Sequence, residues 1–574
     1  MSKSLIFDIE TDNLLLDVTK FWVGVTYCIE TKEEKVYYDP TELVYDLSCA
    51  TLLVGHNIIG YDLPVLDKLT GIRLAVPVVD TLILAKLAYY DKDKGWSHSL
   101  DSYGERLGYK KGKYDDWSKY TKEMEEYCKR DVQVTKKLYT HLKRKTTWLP
   151  ETALQLEQDV QKIVTKQYMR GWKFDEEKAR ALHIELVEEK EVAEAALFET
   201  FKPKFLPDGK VKTPKRPFRR MGVSTVGPHQ PIKLRTFNPG SGNHVVWWVE
   251  RVLGKQKWLL TDKGNPKTDA DTLQLMFGAE EFLTPLLHYL EVNKLLGQLA
   301  EGNLAWLKLV REDGRLHGQN DILGTVTGRA SSSRPNMSQV PSVRAYKGAE
   351  ARELFTVPND KILVAADLSG VELRCLAHYM ARYDGGRYSK ILLEGDIHTA
   401  NQEAAGLPTR DIAKTFAYST LYGAGDAKIG TLVGGGTKEG KKLRAAFEDN
   451  TPGYRQLTEG VKSAAKKKWI KSITGRRLFI RSPHSALNTL LQNMGASIAK
   501  VWMVEVDRRI QEEGVDAVQI NWTHDELEFE CSEEDSEKLM KILEESSIKA
   551  GNILGSRTII ESEAQKGRTW KDVH

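Results

Sequence analysis

Ala517-Val518-Gln519-Ile520-Asn521-Trp522 runs as a short strand into Thr523-His524-Asp525-Glu526, and Leu527-Glu528-Phe529-Glu530-Cys531 leaves as a second strand. In the second strand Leu527, Phe529 and Cys531 alternate with Glu526, Glu528 and Glu530, the period-two pattern expected of a half-buried hairpin. Its tip is expected to expose two adjacent carboxylates on a rigid mount. Far upstream, the apolar run Ile362-Leu363-Val364-Ala365-Ala366 ends at Asp367, a third carboxylate at a strand terminus. Asp367 and Asp525 are 158 residues apart (525 − 367), too far for local structure to account for both. Two strand-end aspartates brought together suit a pair of divalent cations about 4 Å apart, the arrangement that clamps entering and leaving oxygens in phosphoryl transfer. That chemistry fits a polymerase or a nuclease.

The bulk properties narrow the class without choosing. At 574 residues the chain exceeds one hydrophobic core and suggests roughly three to four folding units. The formal charge is only +4, from 84 basic and 80 acidic residues, so affinity for nucleic acid has to come from segregated charge. Residues 202–220 show it: Lys202, Lys204, Lys210, Lys212, Lys215, Arg216, Arg219 and Arg220 stand against one acid, Asp208. A solvated loop and a phosphate-contacting tract are both open readings there. The five cysteines (Cys28, Cys49, Cys128, Cys375, Cys531) form no Cys-x-x-Cys pair, which suits a reducing compartment and argues against structural zinc. Neither a signal-type segment nor a run of about 18 uncharged apolar residues is present, so a soluble intracellular protein with no membrane partner is expected.

Along the chain, residues 1–148 mix short strands and helices and close with a helix from about Thr121. Residues 151–200 read as long amphipathic helix broken at Gly171, and helical pattern returns around Ala270–Val310. From Gly318 strand, helix and loop alternate to the end. Gly434-Gly435-Gly436 reads as a loop rather than a phosphate cradle, because no Lys-Ser/Thr follows it.

In Leu5-Ile6-Phe7-Asp8-Ile9-Glu10, alternation places Leu5, Phe7 and Ile9 on one face and Asp8 and Glu10 on the other. Two acids side by side on a strand repel each other unless cations neutralise them. Asp62 follows a turn in His56-Asn57-Ile58-Ile59-Gly60-Tyr61-Asp62, and Tyr127 and Asp131 share a helix face at a spacing of four. Four carboxylates from strand, turn and helix can ligate two Mg²⁺ ions, with Tyr127 orienting a water at the scissile phosphate. Together, in this order, the set resembles the DEDDy three-prime exonuclease fold.

In the C-terminal half, Thr409 is placed to cap a helix beginning at Arg410, which Gly423-Ala424-Gly425 stops. Arg410, Lys414, Tyr418 and Tyr422 recur every four residues and share one face, cations at the N-terminal end and phenols beyond. Cations at a helix N-terminus oppose the backbone dipole, and a bound polyphosphate would reverse that sign.

Asp367-Leu368-Ser369-Gly370-Val371-Glu372-Leu373-Arg374 is similar to motif A of family A DNA polymerases, Arg410 to Gly425 to their fingers helix, and His524-Asp525-Glu526 to their motif C. The likeness is strongest to the replicative polymerases of T-seven-type podophages. It extends to Thr327-Gly328-Arg329-Ala330, Pro335-Asn336, Gln339 to Arg344, Gly395-Asp396-Ile397-His398-Thr399 and, in the nuclease part, Ser97-His98-Ser99-Leu100. The resemblance implies an α/β (α+β) fold: a ribonuclease H-like 3′–5′ exonuclease domain followed by a right-hand polymerase domain. The expected boundaries are 1–148 for the exonuclease, 149–315 for the thumb with the basic loop, 316–394 and 483–574 for the palm, and 395–482 for the fingers.

It also implies roles. Asp367 and Asp525 would hold two Mg²⁺ ions, with the Leu368 carbonyl as an additional ligand. Asp8, Glu10, Asp62 and Asp131 would hold two more in the exonuclease site, and Mn²⁺ is the expected substitute ion. Arg410, Lys414 and His398 would grip the triphosphate of a deoxynucleotide. Glu372 resembles the steric gate against a ribose 2′-hydroxyl. Tyr418 would lie against the sugar, a position where Tyr accompanies poor rejection of dideoxynucleotides. Tyr422 would stack on the template base and move as the fingers close. Arg329, Gln492 and His524 resemble minor-groove readers at the primer terminus, where acceptors are nearly the same for every correct pair. Primer–template DNA and deoxynucleoside triphosphates are the expected partners, with a phage helicase or primase and a single-strand-binding protein beyond them, in the host cytoplasm.

One departure bears on partners. The T-seven-type thumb carries a long insertion that binds host thioredoxin, whereas the corresponding stretch here, roughly residues 200–236, is short, so dependence on that clamp is not expected. The leading reading is a template-directed DNA polymerase with 3′–5′ proofreading. The alternatives are an exonuclease whose polymerase half only positions DNA, and a DNA-binding scaffold with dead sites. The second would have lost a metal ligand, and every ligand position is filled.

Overall fold

The computed structural model describes residues 3–91, 96–110, 112–213, 218–220, 223–225, 227–261, 263–278 and 280–574. These form two compact units, one of residues 1–173, 315–340 and 355–574, the other of 174–314 and 341–354.

The first unit opens with a five-stranded mixed sheet of β1 (Ser4–Thr11), β2 (Phe21–Cys28), β3 (Glu34–Tyr37), β4 (Leu52–Gly55) and β5 (Val78–Asp80), in the order β3-β2-β1-β4-β5. β1 runs antiparallel to β2 and parallel to β4, which makes it central. Alternation sends Leu5, Phe7 and Ile9 into a core with Leu43, Leu53 and Val65. Ile6 faces the other way, towards Met124, Cys128 and Val132 on helix α1 (Lys122–Lys145). Thr121 caps α1 by accepting the Met124 amide at 3.1 Å, and Lys143, Arg144 and Lys145 suit the negative end of its dipole.

Helix α2 (Glu151–Arg170) follows and ends at Gly171, whose φ of 65° lies in the left-handed region. Val160, Ile163 and Val164 on α2 belong to one continuous core with Ile83 and Leu87 beside the first sheet and Met503, Trp522 and Phe529 around the second. That second sheet is antiparallel, made of β6 (Lys361–Leu368), β7 (Ala517–Thr523), β8 (Glu526–Ser532) and β9 (Ser562–Gly567), in the order β7-β8-β6-β9. Helices α3 (Val371–Asp384), α4 (Ile397–Ala405), α5 (Arg410–Leu421), α6 (Ala486–Glu512) and α7 (Ser536–Ile553) complete the elements that matter for the sites. Each large apolar side chain this core buries fully, such as Trp502 and Phe529, contributes roughly 1.5–3 kcal/mol.

The β7–β8 hairpin departs from the half-buried expectation. Its apolar face is buried, but so is the acidic face: Glu528 and Glu530 are both buried. Glu530 receives Arg315 at 2.8 Å and also pairs with Arg170. Paired cations let Glu530, which reads as solvent-facing, pack inside the fold. The tip differs as well, because Glu526 turns back onto the C-terminal segment, where Trp570 Nε1 donates to it at 3.1 Å and His574 Nε2 pairs with it at 2.6 Å. Gly434-Gly435-Gly436 forms a tight connection between two helices, with the Gly436 amide donating to Glu439 at 3.0 Å.

In the second unit, the helices Glu176–Thr200 and Thr284–Leu296 pack together, and a Gly242–Leu253 helix that the sequence reading did not anticipate adds Val245, Trp248 and Val249 to a core with Phe201 and Leu286. Of the basic tract, Lys204 begins a two-stranded ribbon (Lys204–Pro207 with Ile232–Arg235). Lys215 and Arg216 lie outside the described residues. Among the described residues the five cysteines are free, and no helix is long and apolar enough to cross a membrane.

Candidate active sites

Register brings the two strand-end aspartates together. β6 pairs with β8 so that Asp367 stands opposite Glu526, and the Leu368 amide donates to the Asp525 carbonyl at 3.1 Å. β7 and β8 are joined by His524 and Asp525 alone. A loop that short needs a left-handed residue, and His524 supplies it with φ 59°, at a cost of about 1 kcal/mol. Its carbonyl accepts the Trp522 indole at 3.0 Å, which holds the strained turn. Partial enclosure and then the nearby Asp525, Glu526 and Glu372 push Asp367 up to about 8, although its open face lets water screen part of that repulsion. Burial and then Glu372 push Asp525 up to about 6, against the pull of Arg329. Burial alone would raise Glu526, but the hydrogen bonds with His574, Glu528 and Trp570 prevail and hold it below the ordinary carboxylate range.

Glu372, in the first turn of α3, accepts Arg329 Nη2 at 3.0 Å and the Tyr422 hydroxyl at 3.1 Å on the same oxygen. Tyr422 follows α5, so this bond ties the end of that helix to the acidic cluster. Thr409 caps α5, accepting the Ile412 amide at 3.3 Å. Tyr418 and Tyr422 stack at 6.5 Å, and His398 on α4 lies 6.4 Å from the Tyr418 ring. Burial and then the charges of Arg410 and Lys414 hold His398 below its ordinary pKa, so it is neutral near pH 7. Burial and then Glu372, Asp525 and Asp367 raise Tyr418, which marks the phenol as close to all three acids. Lys414 is exposed, whereas Arg410 is already engaged, its Nε donating to Asp396 at 2.6 Å. Asp396 also caps α4 through the His398 amide at 3.0 Å. His524 is exposed, Arg329 and Gln492 are half-buried, and Gln492 precedes Asn493 on α6.

On the first sheet, Glu10, Asp62 and Asp131 are buried and Asp8 is half-buried. The Ile9 amide donates to Asp62 at 3.2 Å, tying β1 to the start of the Asp62–Thr70 helix. Burial, with added repulsion from Asp80 and Asp131, raises the Asp62 carboxyl well above its ordinary value. Cys128 on α1 donates to the Asp8 carbonyl at 3.4 Å, and its buried thiol is raised first by burial and then by Asp8, Glu10, Asp131 and Asp62 together. That one thiol senses all four carboxylates, so strand, turn and helix converge. Tyr127 packs its ring between Tyr114 at 6.0 Å and Trp117 at 5.9 Å.

Against known proteins, the family described as DNA polymerase family A matches residues 228–572. The chain is 32% identical to the DNA-directed DNA polymerase of Enterobacteria phage T3, over 99% of this chain and 100% of that one. The chain belongs to DNA polymerase family A. The DNA-directed DNA polymerase of Escherichia phage T7 is likewise 32% identical, with the same coverage of each chain. The DNA polymerase I of Aquifex aeolicus is 29% identical over 54% of each. The T3 alignment spans 709 positions, so at least 135 of them (709 − 574) hold residues of that relative opposite none of this family A chain. The solved POL domain of Pol1 from M. smegmatis, in complex with DNA primer-template and dNTP, superposes with a TM-score of 0.79 at 21% identity, covering 100% of this chain and 96% of that one, which establishes a shared fold.

Two details of this family A chain escaped the sequence reading. Asp80 is fully buried and accepts the Asn57, Ile59 and Leu82 amides at 2.9, 3.1 and 2.9 Å, so it organises the turn that delivers Asp62. Its signal was present: an Asp between a Val-rich strand and the helix of Thr81-Leu82-Ile83-Leu84 is a capping pattern. The second is which acid the terminal histidine serves: His574 pairs with Glu526. Glu526, Glu528 and His574 cluster within 4.8 Å, as do Asp8, Glu10 and Cys128. In the former the donors of Trp570 and His574 already serve Glu526. At Asp367 and Asp525, and around Asp62, hard oxygen donors repel one another in place, which suits a divalent cation.

Proposed function

We propose that this chain extends a DNA primer on a template from deoxynucleoside triphosphates and trims the 3′ end at a second, separate site. The observation that carries the reading is the meeting of Asp367 and Asp525 at adjacent strand ends, with Tyr422, just past the cationic helix, bonded to Glu372 beside them. A site for hydrolysis alone has no use for Arg410, Lys414 and His398 on that helix side.

In this reading Asp367, Asp525 and the Leu368 carbonyl hold two Mg²⁺ ions, and Asp8, Glu10, Asp62 and Asp131 hold two more, with Mn²⁺ a working substitute. The ions supply Lewis acidity for nucleophile and leaving group. The chain's own residues do the rest. Arg410 exchanges Asp396 for phosphate, and Lys414 joins it. His398 donates to a phosphate oxygen. Glu372 blocks a 2′-hydroxyl, Tyr418 lies against the sugar, and Tyr422 leaves Glu372 to stack on the template base. Arg329, Gln492 and His524 contact the minor groove at the primer terminus and test its geometry. Tyr127 orients the water at the trimming site. Action in a phage-infected cell's cytoplasm, beside a helicase or primase and a single-strand-binding protein, follows from the same reading.

The test is primer extension with Mg²⁺ and four deoxynucleotides, run beside digestion of the primer without nucleotides. Asp525→Ala should abolish extension and spare digestion, and Asp8→Ala should do the reverse. Extension by Asp525→Ala at near the parent rate would overturn the polymerase assignment.

A further inference from the structure

Three ionisable side chains meet in the interior of the first unit. Glu157 comes from α2, Arg476 from the turn before the Arg477–Phe479 strand, and Lys500 from the middle of α6, and all three are buried. Arg476 Nη1 donates to Glu157 Oε1 at 3.0 Å, and Lys500 Nζ donates to Oε2 at 2.6 Å. Taking three charges out of water is costly, and a well-packed apolar trio would serve stability at least as well. The arrangement therefore calls for something the charges do besides fill space.

Their remaining donors supply it. Lys500 Nζ also donates to the Ile322 carbonyl at 2.8 Å. Arg476 Nη2 donates to the Thr327 carbonyl at 3.1 Å, and Asn493 Nδ2, also buried, donates to that same oxygen at 2.8 Å. Every one of these bonds lands on the backbone between Ile322 and Thr327, immediately before Arg329. Gly328 then turns with φ 79°, wrapped so closely on the guanidinium that a Cβ there would stand 1.6 Å from Arg476 Nη2. The turn is closed by the Gly328 amide donating to Thr325 at 3.0 Å and by Thr325 Oγ1 donating to the Arg329 carbonyl at 3.0 Å. Out of it Arg329 reaches Glu372.

We infer that Glu157 is a positioning residue for Arg329: it fixes Arg476 and Lys500, which fix the Ile322–Gly328 backbone and so the place from which Arg329 reads the primer terminus. The inference rests on the proposed role of Arg329. Glu157 touches no substrate; it acts through two cations and a turn. A guanidinium held on one side only by Thr327 would have several places to go, and the turn would follow it.

The experiment compares extension from matched and mismatched primer termini, each closed by a phosphorothioate linkage that resists trimming, for the full chain and for Glu157→Gln, Arg476→Lys, Arg329→Ala and the Glu157→Gln/Arg329→Ala double variant. Arg476→Lys keeps the charge but cannot reach Glu157 and Thr327 together, so it decides the matter if Glu157→Gln does not fold. The matched-to-mismatched ratio should fall about tenfold in each single variant, with the nucleotide KM nearly unchanged, and the double variant should be no worse than Arg329→Ala. Digestion of single-stranded primer should stay near the parent rate, which a merely loosened fold would not allow. If Arg329→Ala lowers the ratio while folded Glu157→Gln and Arg476→Lys keep it, or if the losses multiply in the double variant, the positioning role is overturned. If Arg329→Ala leaves the ratio unchanged, the reading of Arg329 itself fails, and with it the inference.

Discussion

Tyr422 donates its hydroxyl to Glu372 at 3.1 Å, on the carboxylate oxygen that also receives Arg329 at 3.0 Å. One oxygen thus joins the cationic helix side to the palm-like sheet side, and the phenol feels it: burial and then Glu372 push Tyr422 up to about 12. Because Tyr422 is substantially exposed, the bond is worth less than the usual bond to a charged acceptor, roughly 1 kcal/mol. Its loss in Tyr422→Phe frees the side chain to leave Glu372 and keeps the ring. The nucleotide KM should fall up to about fivefold with kcat nearly constant. A KM that rises in steady-state incorporation assays would mean that the bond belongs to the nucleotide-bound state instead.

Tyr418 makes a second prediction. A phenol hydroxyl beside the sugar offers a partner to the site when the substrate lacks a 3′-hydroxyl, and Phe does not. Tyr418→Phe should therefore raise the preference for deoxy over dideoxy nucleotides by roughly tenfold or more, because the site's polar groups are then left unpaired only by the dideoxy substrate. Competition of the two nucleotides on one primer measures this ratio directly. An unchanged ratio would remove Tyr418 from sugar recognition.

Local pattern carried much of this structure. Alternation around Asp8 and Asp525, the Thr121 and Thr409 caps and the stop at Gly171 are all decided within a few residues, so periodicity and turn chemistry expose them. The acidic face of β8 was misjudged for a different reason. Glu530 is buried because Arg170 and Arg315 reach it from 360 and 215 residues away, and no local pattern records a distant partner. Arg410 shows the same limit: its place on α5 is periodic, but its pairing with Asp396 depends on how α4 lies. Glu157 reads as an ordinary surface residue of an amphipathic helix until α6 brings Lys500 to it.

The lysines of the basic tract bear on how the chain holds DNA. If Lys202, Lys204, Lys210 and Lys212 neutralise duplex phosphates, replacing all four by Gln should weaken binding and flatten its dependence on salt, by about 0.9 in log–log slope for each phosphate left without its lysine. Fluorescence anisotropy of a labelled primer–template across a salt series reads the slope. A parallel but weaker curve would return the tract to a solvated loop, since general loss of affinity leaves the slope alone.

Lys500 gives the fold an unusual dependence on pH. Burial, and then the neighbouring Arg476 against the pull of Glu157, lowers this lysine from its ordinary 10.5 to about 8. Between about 8 and 10.5 the unfolded chain therefore binds more protons at this residue than the folded one, and stability rises with pH wherever that holds. The contribution is at its worst below pH 8 and recovers as the solution approaches pH 10.5, by at most on the order of 3 kcal/mol. Other groups pull the opposite way in alkali, so the observable is a difference. Lys500→Met removes the titration while Arg476 continues to hold Glu157 at 3.0 Å. Denaturant unfolding of both proteins at pH 7.5 and 9.5 should show the parent gaining on Lys500→Met over that interval; a difference that is constant, or that shrinks, would place an unperturbed lysine at the centre of the cluster.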